Sequence, residues 1–221
     1  MTLITTEISS IQVKLMYLHF KTIKINDSIS RVKSLKFEDL KTPKAIASKG
    51  ELTYDIIDVI ILFENYHSLT DKLLKKNHLA TLMPEELRLE LKELRKVMSK
   101  WKHVRNKIGG HLDLDVIEEF CEKYNYKGVF ISQNLEADFK GILLLMMLES
   151  AINSTNDKSN LFNEELTLTK PLDLNRFIAK FMTDWRLCLN IFKPVQEFLY
   201  SLGKSEKLSL ITKEDIGIIN F

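Results

Sequence analysis

Apolar side chains recur along much of the chain at alternating steps of three and four residues, the spacing of an amphipathic helix. The clearest run consists of Leu87, Leu91, Leu94, Met98, Trp101 and Ile108. Arg105 takes the slot that this run skips, and Val97 and Val104 flank it. We therefore predict a long helix, beginning near Pro84, that buries an apolar face and carries one arginine on it.

The same spacing predicts two helices upstream. The first is expected over Thr5–Asn26. Its apolar face would be formed by Ile8, Ile11, Leu15, Leu18 and Ile23. Residues 28–48 predict a short helix and a connector, and Glu51–Asn77 a second long helix. Because the connector at Leu79–Met83 is short, this helix and the arginine-bearing one are expected to pack antiparallel.

Three further helices are expected in the second half, over Asp115 to about Tyr124, Leu135–Ser154 and Asp173–Leu202, the last interrupted near Pro194. Residues 124–133 fit either a helix or an extended segment. The polar stretch 153–170 predicts a loop. The tail from Gly203 either docks as a short segment or stays mobile.

These patterns predict an all-α protein, a helical bundle with two long antiparallel helices at its centre and additional C-terminal helices. We treat residues 1–221 as a single domain, with 1–48 as a candidate N-terminal extension and 135–221 as a C-terminal helical part. The composition agrees, since 221 residues with 45% apolar and 28% charged side chains are typical of a globular protein. Few Gly (7) and Pro (4) residues favour long helices over hairpins.

The cellular compartment is predicted from three features that the sequence does not show: a disulfide framework, a signal peptide and a membrane-spanning run. Cys121 and Cys188 are far apart, which fits a reducing cytosol rather than a disulfide framework. The first residues lack the order of a signal peptide. The apolar run Ile142–Leu148 is too short to span a bilayer. We therefore expect a cytoplasmic protein with no membrane partner.

Charge is distributed unevenly along the chain, although the net charge is only +2. Seven Lys and Arg residues and one acid lie between Lys92 and Lys107, whereas five acids and no Lys or Arg lie between Asp113 and Glu122. This contrast indicates either a polarised binding surface or a merely solvated charged face.

Metal and cofactor sites are not indicated. The five histidines show no metal-binding spacing such as HxxxH or HExxH. The pair Asp113 and Asp115 resembles the start of a calcium loop but lacks its glycine. No glycine-rich phosphate loop or nucleophile elbow occurs. We expect no metal and no cofactor.

The end of the arginine-bearing helix is the strongest candidate site. Gly109 and Gly110 are expected to stop the helix, and His111 follows at once. In a continuous helix Arg105 and His111 would lie roughly 120° and 9 Å apart, whereas the glycine break allows the imidazole to swing back. Arginine supplies donors that match a phosphate, histidine transfers protons near neutral pH, and Asn106 adds an amide.

A second interpretation of Arg105 is purely structural. The guanidinium would pair with a carboxylate on a neighbouring helix, such as Glu64. Asn106 would then be a helix-end residue and His111 a loop histidine.

The segment Arg105-Asn-Lys-Ile-Gly-Gly-His111 resembles the signature of the HEPN superfamily, which is an Arg, a polar residue, and a His after four to six intervening residues. In that family the signature lies at the end of a long helix in a helical bundle. Five residues intervene here. The resemblance covers about ten residues and is supported by the predicted all-helical context.

The resemblance implies a metal-independent endoribonuclease, of a kind found in prokaryotic abortive-infection, antiviral defence and toxin–antitoxin systems. Two protomers would face each other, with Arg105 holding the scissile phosphate and His111 assisting attack by the ribose 2′-hydroxyl. The products would carry a 2′,3′-cyclic phosphate and a 5′-hydroxyl. Asn106 would orient the phosphate or His111, and Asp113 could fix the imidazole tautomer.

RNA, a second copy of the chain, and an antitoxin or defence-system protein are the expected partners. Candidate contacts to the RNA backbone are Lys100, Lys102, His103 and Lys107. Some family toxins place a Tyr two residues after the His, where a nucleotidyltransferase modifies it, but this chain has Asp113 there. The family also contains members without catalysis, so the alternative is a non-catalytic helical interaction or dimerisation module.

Overall fold

The computed structural model describes residues 2–33, 43–75, 77–108, 118, 122, 144–154 and 161–205. The helices in this part of the chain are α1 (Thr2–Lys33), α2 (Pro43–Lys75), α3 (Asn77–Leu82), α4 (Glu85–Ile108), α5 (Leu144–Asn153), α6 (Pro171–Asn190) and α7 (Phe192–Ser205). The described residues form helices and loops without a strand, so the predicted all-α class is confirmed.

Helix α4 has the predicted start and the predicted buried face. The carbonyl of Pro84 accepts a hydrogen bond from the Arg88 N–H at 3.0 Å. Glu85 and Glu86 lie in the first turn, where carboxylates stabilise the positive helix end. All the apolar residues of the predicted seam are buried: Leu87, Leu91, Leu94, Val97, Met98, Trp101, Val104 and Ile108.

Helices α2 and α4 run antiparallel, and their ion pairs fix the direction. Arg95 pairs with Asp71, whereas Arg105, further along α4, pairs with Glu64, which is earlier on α2. Between these helices Phe63 packs against Trp101, with ring centroids 5.4 Å apart. Residues of α2 also contact α1 and α5, so α2 lies between other helices.

Helix α1 packs against α2 and α7, and four of its five predicted apolar residues are buried in the core. The fifth, Ile23, was assigned to the wrong face, because it is 45% exposed. The neighbouring Thr22 is buried instead, and its hydroxyl lies 2.6 Å from both the Leu18 carbonyl and the Tyr66 hydroxyl. A threonine is stable in this position because both buried hydroxyls find partners.

The helix bounds differ from the prediction near three polar stretches. Helix α1 continues to Lys33 rather than stopping at Asn26, and α2 begins at Pro43 rather than Glu51. Proline is compatible with this first position, because it has no N–H that a helix start would leave unpaired. Most of the predicted connector, Leu79–Met83, lies in the short helix Asn77–Leu82.

The C-terminal helices agree with the prediction where they are described. Helix α5, Leu144–Asn153, coincides with the second half of the predicted 135–154 helix. The loop after it is fastened to α5 by Asn153, whose side chain bonds both the N–H and the carbonyl of Leu166, and by Glu149, which accepts the Leu168 N–H. The last long helix is interrupted at Ile191, three residues before Pro194.

Several sequence predictions lie wholly or partly outside the described residues. They concern the middle of the 28–48 stretch, the helix stop at Gly109 and Gly110, the helix over 115–124 (of which residues 118 and 122 are described), the segment 124–133, the first part of the 135–154 helix, and the tail beyond Ser205.

The aromatic core joins three helices around Trp101. The ring centroids of Phe63 and Phe181 lie 6.1 Å apart, and those of Trp101 and Phe181 lie 6.0 Å apart in an edge-on arrangement. The Trp101 indole N–H donates to the buried carboxylate of Asp184 at 2.8 Å, and Lys180 also pairs with that carboxylate. Asp184 therefore ties α6 to α4 at the centre of the protein.

Replacing Asp184 should destabilise the fold strongly. Asp184→Ala leaves the buried indole N–H without an acceptor, and we expect a loss of about 2–4 kcal/mol in the free energy of unfolding. Asp184→Asn keeps an oxygen acceptor and should lose less than half as much. Urea denaturation measures both. Thr183→Ala is the control, because its exposed hydroxyl bonds only the Ala179 carbonyl. Equal losses in both Asp184 variants would contradict this account.

Candidate functional site

Arg105 lies in the last turn of α4 with its side chain 32% exposed. One terminal nitrogen, Nη1, donates to the Asn106 Oδ1 at 2.9 Å. The other, Nη2, lies 3.4 Å from the Glu64 Oε2 on α2. The guanidinium is thus oriented by the amide that follows it in sequence and by a carboxylate across the α2–α4 seam.

The pairing with Glu64 is the contact that the structural interpretation of Arg105 expected. The Glu64 side chain is also 32% exposed, so water reaches both charges and screens their attraction. A guanidinium carries five N–H donors. A single carboxylate at 3.4 Å and one amide leave this group chemically able to bind a further anion from the solvent side.

His103 occupies a different position from the one expected of a phosphate contact. The ring is half-buried, and its Nε2 lies 2.7 Å from the Ser154 carbonyl and 2.9 Å from the Ser154 hydroxyl, at the end of α5. Because a carbonyl oxygen only accepts hydrogen bonds, this arrangement requires the tautomer in which Nε2 carries the hydrogen and donates it. His103 therefore links α4 to α5 and would have to release Ser154 to present that N–H to RNA.

The other candidate residues are distributed around the end of α4. Lys100, Lys102 and Asn106 are exposed, and Lys107 is half-buried. His111 and Asp113 lie outside the described residues. The structure therefore brings together Arg105, Asn106 and Glu64, while the approach of His111 to Arg105 remains a prediction.

A basic groove that sequence reasoning missed lies on the same two helices. It has a volume of about 420 Å³ and is lined by His67 of α2 and by Lys92, Arg95, Lys96 and Ser99 of α4. The α4 residues recur at helical spacing, which was visible in the sequence. The contribution of His67 depends on the α2–α4 register, which the sequence pattern does not specify.

The described residues contain no group of three or more His, Cys, Asp or Glu side chains placed to hold a metal ion. In the same part of the chain, no helix combines the length and apolar character needed to cross a bilayer.

Comparison with known proteins finds no matching family model, no matching curated protein and no matching solved structure.

The energetic role of the Arg105–Glu64 pair can be measured with a double-mutant cycle. For Glu64→Gln and Arg105→Gln we expect a coupling of about 1 kcal/mol or less, because both side chains are one-third exposed. The cycle Asp71→Asn with Arg95→Gln serves as a reference on the same helix pair. Urea denaturation of the single and double variants gives the values. A coupling above roughly 2 kcal/mol would instead assign Arg105 a structural role.

Proposed function

We propose that this chain is a metal-independent endoribonuclease of the HEPN type, with Arg105, Asn106 and His111 in the active site. The observation that carries the proposal is the arrangement at the end of α4, where Asn106 holds a half-buried guanidinium beside the solvent. A pre-oriented arginine in a partly dry position stabilises developing phosphate charge better than a mobile one. The resemblance of Arg105-Asn106 and His111 to the family signature supplies the reaction class.

The proposed reaction needs no cofactor. His111 accepts the proton of the ribose 2′-hydroxyl while a bond forms between the 2′-oxygen and phosphorus. The bond between phosphorus and the 5′-oxygen breaks, and that oxygen takes up a proton from an imidazolium or from water. The products are a 2′,3′-cyclic phosphate and a 5′-hydroxyl. Arg105 donates to the non-bridging oxygens as their charge increases.

Glu64 acts in this scheme as a positioning residue. Its carboxylate holds Nη2 in place before substrate arrives, at a distance long enough for a phosphate oxygen to compete for the same donors. Asn106 holds Nη1 through a hydrogen bond at an exposed position. Removing Glu64 would therefore free Arg105 rather than abolish phosphate binding.

A defence or toxin–antitoxin context and a homodimer belong to the same proposal. Two copies would place two Arg105 guanidiniums around one phosphate, and each copy would supply a histidine. An antitoxin or defence-system protein is the expected regulatory partner, and the cytoplasm is the expected compartment because it contains the RNA.

The second candidate function is a non-catalytic dimerisation module, and the outer face of α1 favours it. Five apolar residues there are exposed, namely Val13 (68%), Met16 (62%), Tyr17 (54%), Phe20 (67%) and Ile23 (45%). They lie opposite the buried face of α1 and amount to about 500 Å² of apolar surface, the size of a patch that is often functional on a monomer. A second copy is the proposed occupant, because a stable dimer buries about 800 Å² per partner, roughly two-thirds of it apolar at the core.

The ribonuclease proposal predicts cleavage of RNA in the presence of EDTA. DNA should remain intact, because it lacks the 2′-hydroxyl. His111→Ala should lose about 10²–10⁴-fold in rate, the usual contribution of a proton-transfer group. Arg105→Ala should be similarly impaired, and Arg105→Lys should not restore activity, because an ammonium cannot make the two-pronged phosphate contact. Gel analysis of labelled RNA, with detection of the cyclic phosphate end, measures these effects.

Two controls accompany these variants. Arg186→Ala removes an exposed arginine from α6 and should retain full activity. His103→Ala should lose the Ser154 contact and some stability, but much less activity than His111→Ala. If Arg105→Ala and His111→Ala cleave as well as the wild type, the active site is not at the end of α4.

The dimerisation proposal predicts that Phe20→Glu changes the oligomeric state. A charge at the centre of the apolar face of α1 would be buried in the interface, so the variant should be monomeric where the wild type is dimeric. Light scattering at micromolar concentration measures this. Arg186→Glu, at an exposed position of α6, is the control and should remain dimeric. A wild type that is monomeric with and without RNA would contradict both proposed interfaces.

A further inference from the structure

The basic groove between α2 and α4 lies outside the candidate site at the end of α4. Its walls are Lys92, Arg95 and Lys96 on one side and His67 on the other. Ser99 also lines it, and its hydroxyl bonds the Lys96 carbonyl within the helix, so this small side chain leaves the groove open.

The charge of the groove is positive even after its ion pair is counted. Asp71 pairs with Arg95 and also accepts a hydrogen bond from Lys75 at 2.9 Å. Three α4 cations against this one carboxylate leave two positive charges at the groove. A concave surface of one sign concentrates ligands of the opposite charge.

The groove is aligned with the end of α4. Ser99 and Asn106 are seven residues apart, which places them on the same side of the helix, two turns and about 10.5 Å from each other. The ion pairs Arg95–Asp71 and Arg105–Glu64 join the same two helices. At about 3.4 Å per nucleotide in a stacked strand, this separation corresponds to about three nucleotides.

We propose that the groove formed by His67, Lys92, Arg95 and Lys96 binds backbone phosphates of an RNA strand whose scissile phosphate lies at Arg105. This assignment rests on the proposed function and adds the path of the substrate to it. Lysines on flexible stems bind phosphates as point charges and read no bases. The groove therefore contributes affinity and placement of the strand, and it contributes little to sequence preference.

The test uses two double variants that remove the same total charge. Lys92→Gln with Lys96→Gln changes the groove, whereas Lys24→Gln with Lys193→Gln changes exposed positions on α1 and α7 that do not line it. The probe is a fluorescent single-stranded RNA with 2′-O-methyl riboses, which cannot be cleaved. Fluorescence anisotropy gives Kd over a series of salt concentrations, and circular dichroism checks that each variant is folded.

The groove variant should bind about tenfold more weakly at low salt, and the slope of log Kd against log salt should fall by about 1.4, since each phosphate contact on a single strand contributes about 0.7. The control variant should match the wild type. Cleavage of a dinucleotide should be unaffected by the groove variant, because so short a substrate does not reach the groove, whereas cleavage of a long RNA should show a raised KM.

Failure of this proposal and failure of the ribonuclease proposal give different results. If the wild type cleaves RNA and the groove variant binds and cleaves like the control, the groove assignment is wrong and the enzyme remains. If the wild type cleaves nothing but the groove variant alone loses affinity, the groove binds nucleic acid without ribonuclease chemistry. If the wild type binds a polyglutamate peptide but not RNA, the groove serves an acidic protein and the assignment is overturned.

Discussion

The antiparallel packing of α2 on α4 is the constraint on which the rest of the structure depends. The buried seam of α4 sets its contact with α2 and, through Trp101 and Asp184, with α6. The same packing sets the register in which Arg105 meets Glu64 and Arg95 meets Asp71. Because the basic groove and the candidate site share these two helices, a shift of one turn between them would separate both from their partners.

The helices themselves were predictable from the sequence. A helix that buries one face has apolar residues at steps of three and four, and this spacing can be recognised within a short stretch of sequence. Every apolar residue of the α4 seam is buried as expected. The prediction failed on α1, where apolar residues occupy opposite faces. Ile23 was placed in the core, and Thr22, whose hydroxyl is satisfied by Tyr66, is there instead. Hydropathy alone cannot recognise a polar residue whose partner lies 44 positions away.

The candidate site was predictable to the extent that its residues are neighbours in sequence. The Arg105–Asn106 contact is local, and pairing with Glu64 was one of two stated interpretations. His103 was named as a candidate RNA contact, but its bond to Ser154 depends on the position of α5, which no local pattern specifies. The participation of His67 in the groove could not be predicted for the same reason, because it depends on the register between α2 and α4, which are joined through α3.

The exposure of the Arg105–Glu64 pair bears directly on whether this arginine can serve a substrate. A fully buried pair would be costly to open, because the carboxylate left behind would lose its only compensation in a dry environment. An unpaired arginine at the helix end would have to be ordered by the substrate, at an entropic cost. A pair that is one-third exposed lies between these limits. Water can take over the solvation of Glu64 while a phosphate takes its place at Nη2, so the exchange of one anion for another costs little. Arg105 can therefore be oriented by the fold and still be available to a phosphate, which makes its structural contact and its proposed chemistry compatible.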